Sequence, residues 1–131
     1  MMTAISWEAE MHARVLLIED EPHIVEALSF LLTREGMSVS THSDGIDAAE
    51  TTQRLKPDLV ILDVMLPGKS GFDILQEIRQ DDVTTGTPVL MLTAKGQSRD
   101  RAAAQAAGAS MFMTKPFSNK EIVANVKALL E

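Results

Sequence analysis

Four stretches of this chain are apolar without a break: Val15-Leu16-Leu17-Ile18, Leu59-Val60-Ile61-Leu62, Val89-Leu90-Met91-Leu92 and Met111-Phe112-Met113. A strand with one wet face alternates apolar and polar residues, because successive side chains point to opposite sides. An unbroken run needs both faces covered, which is the condition of a parallel sheet clad by helices. A fifth, weaker strand is expected from Met37 to Thr41, where Ser38 and Ser40 alternate with apolar positions and suggest an edge.

Helical patterns fill the gaps. Pro22 is placed to open the first helix, Ile24, Leu28, Leu31 and Leu32 share a stripe, and Gly36 marks the stop. The second pattern runs from Gly45 to Lys56 and is ended by Pro57. Ser70 with Asp73 forms a capping box for the third, which carries Phe72, Leu75 and Ile78. The fourth is rich in alanine (Ala102, Ala103, Ala104, Ala106, Ala107) and closes at Gly108. Ser118 and Glu121 cap the fifth, with Ile122, Val126, Leu129 and Leu130 along one face. Strand and helix alternate five times, so the expected fold is α/β and doubly wound over a five-stranded parallel sheet.

In such a sheet, active groups gather outside the carboxyl ends of the strands. Glu19-Asp20-Glu21 closes the first run, Asp63 the second, Thr93 the third, and Lys115-Pro116 follows the fourth. A carboxylate on the rim of a dry sheet is unfavourable unless it has a partner or a task. At ~4 Å, two carboxylates repel by roughly 4 kcal/mol at an effective dielectric of 20. Bringing Glu19, Asp20 and Asp63 together therefore calls for cations. Lys115 is one, and a hard ion such as Mg²⁺, which prefers oxygen ligands, is another.

Composition narrows the function classes. The chain has no cysteine, so disulfides, thiolate zinc sites and thiol catalysis are excluded. A net charge of −7 argues against nucleic-acid binding by this domain itself and suits a cation or a basic partner. No apolar run reaches the ~18 residues of a membrane span. The first ten residues hold Glu8 and Glu10 and no basic group, so a secretory signal is not expected and the chain reads as cytoplasmic. Residues 1–13, with the only Trp at position 7, read as a flexible extension before a domain spanning 14–131. Met11 is an alternative start.

The blocks Val15-Leu-Leu-Ile-Glu-Asp-Glu-Pro22, Lys56-Pro-Asp-Leu-Val-Ile-Leu-Asp-Val-Met-Leu-Pro-Gly68, Thr93-Ala-Lys95 and Thr114-Lys-Pro-Phe117 resemble the receiver domain of bacterial two-component response regulators. The resemblance covers about residues 13–131, and its four separated blocks occur in the family's order. It implies the CheY-like, flavodoxin-like strand order 2-1-3-4-5. It implies that Asp63 accepts a phosphoryl group from a phosphohistidine on a sensor histidine kinase or phosphotransfer protein. Asp20 would bind Mg²⁺ directly, Glu19 through water, and the Met65 backbone carbonyl would be a third protein ligand. Thr93 would donate its hydroxyl to the phosphoryl group. Lys115 would pair with Asp63 and then with that group. Thr93 moving inward, with Phe112 turning in behind it, would form the switch. Many members have Tyr where this chain has Phe112, so an output that needs the hydroxyl is in question. A cis peptide is implied before Pro116.

Singly, these residues have ordinary readings. Glu21 suits a helix N-terminus, Thr93 an N-cap and Lys115 a solvated surface. His12, His23 and His42 are scattered and read as neither ligands nor phosphodonors. Met65, two past Asp63, and Lys95, two past Thr93, are expected to flank the path of hydrolytic water and so tune the lifetime of the phosphorylated state.

Two outputs are open: a stand-alone receiver that acts on an unknown protein target, which the end of the last helix at Glu131 suggests, or the receiver of a DNA-binding regulator. Ser110-Met111 stands where an acidic pair often serves a dimer face in the second class, although a dimer on phosphorylation remains open. A phosphatase of the haloacid dehalogenase type would need a second Asp where Met65 stands. A dinucleotide site would need G-x-G-x-x-G where Glu-Asp-Glu-Pro stands. Neither fits, and no enzymatic turnover beyond the domain's own phosphorylation and dephosphorylation is expected.

Overall fold

A computed structural model of the protein describes residues 12–94 and 98–131, with 98–100 as backbone alone. Trp7, Met11 and Lys95 lie outside the described residues. Among the described residues, five strands alternate with five helices: β1 (Arg14–Ile18), α1 (Pro22–Arg34), β2 (Ser38–His42), α2 (Ala48–Leu55), β3 (Leu59–Asp63), α3 (Gly71–Gln80), β4 (Val89–Thr93), α4 (Ser98–Ala107), β5 (Met111–Thr114) and α5 (Asn119–Leu130). All strand pairs are parallel, in the order β2-β1-β3-β4-β5.

The unbroken runs are buried on both sides, as their composition requires. Val15, Leu17, Leu59, Ile61, Leu90 and Leu92 face Leu28 and Leu32 of α1 and Ile122 and Val126 of α5. Their neighbours Leu16, Ile18, Val60, Leu62, Val89 and Met91 face Ala48 of α2, Ile74, Leu75 and Ile78 of α3 and Ala104 of α4. Every residue of β3 and β4 is buried, whereas β2 is an edge with no fully buried residue. The folded body includes Ala13, whose side chain packs on the core and whose carbonyl accepts from Ser38 N at 2.8 Å.

Helix ends follow local chemistry. Gly36 (φ 91°) and Gly108 (φ 98°) take the left-handed conformation, each in a Schellman closure: Met37 N donates to Leu32 O at 3.1 Å, and Ala109 N to Ala104 O at 2.9 Å. Ser70 and Ser118 accept from the amides of Asp73 and Glu121 at 3.3 and 3.0 Å, the N-caps expected from the sequence.

The second helix differs from the sequence expectation. It starts at Ala48, not Gly45. Asp44 Oδ1 accepts from Ile46 N at 2.9 Å in a side-chain turn that competes with helix. Gly45 N donates to Pro67 O at 2.9 Å, and a Cβ on Gly45 would stand 2.4 Å from Lys69 O. The loop before α2 is thus pressed against the loop after β3. That long-range contact is invisible to a periodicity reading, and it braces the segment leaving Asp63.

Candidate phosphoacceptor site

The carboxyl ends of β1, β3, β4 and β5 meet at one rim, which brings together the groups that the sequence left scattered. Asp63 ends β3 and is 4 % exposed, while Glu19, one residue past β1, is 1 % exposed. Asp20 follows and is exposed. One carboxylate oxygen from each of Glu19, Asp20 and Asp63 lies within 4.8 Å of the other two. Such spacing of hard oxygen donors fits a divalent cation, and Mg²⁺ suits a site with few protein ligands and retained waters.

Lys115 supplies the fixed cation. Its Nζ donates to Asp63 Oδ1 at 3.3 Å and stands 3.1 Å from Glu19 Oε1, the latter an ion pair without the alignment of a good hydrogen bond. The sequence reading paired Lys115 with Asp63 alone. Sharing with Glu19 arises because the strand ends place both acids on one side of the ammonium. Glu19 Oε2 also accepts from Glu21 N at 3.1 Å, which folds its side chain back over the β1–α1 turn.

One lysine cannot balance this much buried negative charge. Burial raises the Asp63 carboxyl above its ordinary value, and the opposing pull of Lys115 and of the Met65 amide does not cancel it. Burial likewise raises Glu19, with the Asp63 charge adding to the shift. For Lys115, burial acts downward, but the charges of Asp63 and Glu19 win and hold the ammonium above its usual range. Desolvation leads both carboxyl shifts and Lys115 offsets it only in part, so a further cation would favour the ionised acids.

Thr93 ends β4 at 1 % exposure. Its carbonyl accepts from Lys115 N at 2.7 Å, so the backbones carrying the hydroxyl and the ammonium are bonded directly. The Lys115–Pro116 peptide is cis. Phe112 is half-buried on β5, its ring under the Arg101 guanidinium of α4 at 5.2 Å from the ring centre. Among the described residues Met65 is the most exposed of the large apolar side chains at 73 %, and its backbone amide acts to lower the Asp63 pKa against the effect of burial.

The structure also holds a feature that the sequence reading missed. A mostly apolar cleft of about 530 Å³ opens beside Lys115 between α1 and the β5–α5 turn, lined by Ile24, Ala27, Leu28, Pro116 and Phe117 among others. Ile24 and Leu28 look like plain core positions on the helical stripe. Only the approach of the turn after β5 makes them one wall of a cleft.

Comparison with known proteins agrees with this geometry. A family model described as the response regulator receiver domain matches residues 15–127. The alkaline phosphatase synthesis transcriptional regulatory protein PhoP of Bacillus subtilis is 42 % identical over 120 residues, which is 92 % of this chain and 49 % of that protein. The DNA-binding response regulator MtrA of Mycolicibacterium smegmatis is 40 % identical over 120 residues, 92 % of this chain and 51 % of that protein. The chain thus spans about half the length of the curated relatives it matches. Among solved structures, the receiver domain of the sensor histidine kinase PA1611 from Pseudomonas aeruginosa, with a magnesium ion coordinated in its active-site cleft, superposes with a TM-score of 0.84 at 28 % identity, covering 91 % of this chain and 98 % of that one.

Proposed function

The chain belongs to the response regulator receiver family, and on that premise we propose that Asp63 is its phosphoacceptor and that the domain works as a Mg²⁺-dependent conformational switch. The observation that carries this reading is the buried Glu19–Asp63 pair sharing a single Lys115, with Asp20 beside it.

The chemistry follows from the charges. Asp63 attacks phosphorus as the anion, so no general base is needed. A P–O bond to Asp63 forms as the P–N bond to a donor histidine breaks, and the bonding pair returns to the imidazole nitrogen. Protein groups in such a transfer mainly position reactants and neutralise the equatorial oxygens. Asp20, Asp63 and the Met65 carbonyl, with Glu19 through water, would hold Mg²⁺, which supplies that neutralisation together with Lys115. The donor is a histidine kinase or a phosphotransfer protein. The cleft beside Lys115 gives its surface somewhere to sit.

Thr93 and Lys115 then hold the phosphoryl group. A shift from 1:99 to 99:1 between two states needs about 5.5 kcal/mol of differential binding. Hydrogen bonds to charged groups contribute roughly 1.5–3 kcal/mol each, so two such residues supply most of it. Phe112 relays the change to the α4–β5 face. Met65 and Lys95 set how long the acyl phosphate lasts. The domain turns over no substrate and acts in the cytoplasm; among the described residues no helix is long and apolar enough to cross a membrane.

Two outputs fit this switch. One is a stand-alone receiver that signals by contact with a protein target. The other is the receiver of a DNA-binding regulator, supported at least as well by the names of PhoP and MtrA and by their double length. Whether the reading frame continues into an effector domain separates them.

Incubation with Mg²⁺ and acetyl phosphate, read by intact mass, tests the core reading. Wild type should gain one phosphoryl group and Asp63→Asn none. No gain by wild type in the presence of Mg²⁺ defeats it.

A further inference from the structure

Among the described methionines, one stands apart. Met91 is fully buried, Met37 and Met113 are 7 % and 5 % exposed, and Met111 packs against the core. Met65 is 73 % exposed, although it lies only two residues from Asp63, in the loop that leaves the end of β3. Elsewhere the fold spends its methionines as packing; here it presents a thioether to solvent at the mouth of a buried acid site.

The loop that carries this side chain is held at both flanks. Gly71 N donates to Val64 O at 2.8 Å, which closes the loop that begins at Met65. A Cβ on Gly71 would lie 2.3 Å from Asp63 O, so the closing turn sits directly on the nucleophile's own carbonyl. From the other side, Gly45 N holds Pro67 O at 2.9 Å. The loop that carries Met65 is therefore tied at both flanks, two residues from Asp63, while its side chain stays open to solvent and to small oxidants.

We infer that Met65 is a redox-sensitive modification site: oxidation of its thioether by a peroxide shortens the lifetime of phosphorylated Asp63. The step is a two-electron transfer of oxygen. A sulfur lone pair attacks the terminal peroxide oxygen, the O–O bond breaks, methionine sulfoxide forms, and the second peroxide oxygen leaves as water. An apolar, weakly accepting side chain becomes a strongly polar one at a pinned position. As a thioether, Met65 leaves water near the acyl phosphate without a partner. As a sulfoxide, it offers an acceptor that orders and polarises that water. Reductases that return methionine sulfoxide to methionine would reset the site.

The inference rests on Asp63 being the phosphoacceptor, and one experiment separates the two. The full chain is treated with dilute hydrogen peroxide and the oxidised positions are found by peptide mass mapping. Treated and untreated samples are then loaded with acetyl phosphate and Mg²⁺, the donor is removed, and phosphoryl loss is followed by intact mass. Wild type oxidised at Met65 should lose its phosphoryl group about three- to tenfold faster, the factor that one net hydrogen bond to the attacking water gives. Peroxide should leave the rate of Met65→Leu unchanged relative to its own untreated sample, and Met65→Gln should show the fast rate without peroxide. Full oxidation at Met65 with an unaltered lifetime overturns the inference, as does an equal acceleration in Met65→Leu, which would assign the effect to another methionine. Failure of untreated wild type to take up phosphoryl at all removes the phosphoacceptor reading, and this inference with it.

Discussion

The two rims of the sheet each hold charge away from bulk water, and they treat it in opposite ways. At the amino rim, Arg79 at the end of α3 donates to Gly108 O at 2.9 Å, Thr85 O at 2.9 Å and Thr87 O at 2.7 Å, with Ser110 Oγ at 3.4 Å. One cation thereby ties the α3–β4 loop to the α4–β5 turn through neutral acceptors. Burial lowers the Arg79 pKa, but a guanidinium keeps its proton, and its planar fork matches several carbonyls at once. At the carboxyl rim, two buried acids share one ammonium and both carboxyl pKa values are raised. The first rim is satisfied and structural. The second is left short of positive charge, the state from which a cation or a phosphoryl group can shift an equilibrium.

Substitutions should break this contrast unequally. The largest effect is expected for Lys115→Met, which removes the ammonium shared by Glu19 and Asp63. Phosphoryl uptake from acetyl phosphate should slow by roughly 10²–10³-fold, as when one preorganised donor to a developing charge is lost. A rate within a factor of a few of wild type would mean that Lys115 is only structural. Next comes Arg79→Met, which should weaken the fold by about 2 kcal/mol by stranding several carbonyls, while leaving uptake per folded molecule nearly unchanged. Urea unfolding at constant m-value measures the first part. A large loss of uptake without a loss of stability would show that the amino rim is not purely structural.

A third experiment sharpens the electrostatic half. Asp63 and Glu19 hold protons more tightly folded than unfolded, so their protonated forms favour the fold. That contribution is full below the unfolded carboxylate value of about 4 and is lost as pH rises through the raised folded values. Without Mg²⁺, in EDTA, the wild type should therefore gain stability relative to the Glu19→Gln/Asp63→Asn double variant as the pH falls from 7 toward about 5. Saturating Mg²⁺ should reverse this trend, since the ion binds ionised carboxylates. Parallel pH profiles for the two proteins in EDTA would contradict the raised values. Glu35 behaves in the opposite sense: its hydrogen bond from Lys127, at 2.7 Å, lowers its pKa, so that contribution is lost as the pH falls. The smallest effect is expected here, where Lys127→Ala should leave the urea midpoint nearly unchanged because the pair is exposed and screened.

Much of the carboxyl rim was legible because its parts are local. Asp63, Thr93 and Lys115 each stand at the end of an apolar run, and a parallel sheet brings the ends of such runs to one side. The Schellman glycines and the two serine caps are equally local, and they fall where the sequence put them. The start of α2 was misjudged because Gly45 answers to Lys69 and Pro67, over twenty residues away, and not to its own neighbours. Arg79 drew no attention at all. On a helical wheel it is one more surface base, and its acceptors are carbonyls, which every residue has.

What this sequence determined by itself is the class of sheet and the identity of the groups gathered at the carboxyl rim. Unbroken apolar runs admit no exposed face, and carboxylate, hydroxyl and ammonium chemistry is fixed by residue type. The strand order came from family resemblance, and the tertiary structure realised it. Only that structure decided how the charges are shared. Lys115 reaches Glu19 as well as Asp63, Asp20 stays wet while Glu19 is sealed, and the Met65 side chain is left open to solvent two residues from Asp63. The reason is range. Hydrophobic patterning is written into neighbouring residues, whereas the balance of buried charge depends on distances of a few ångströms between residues as far apart as 19, 63 and 115.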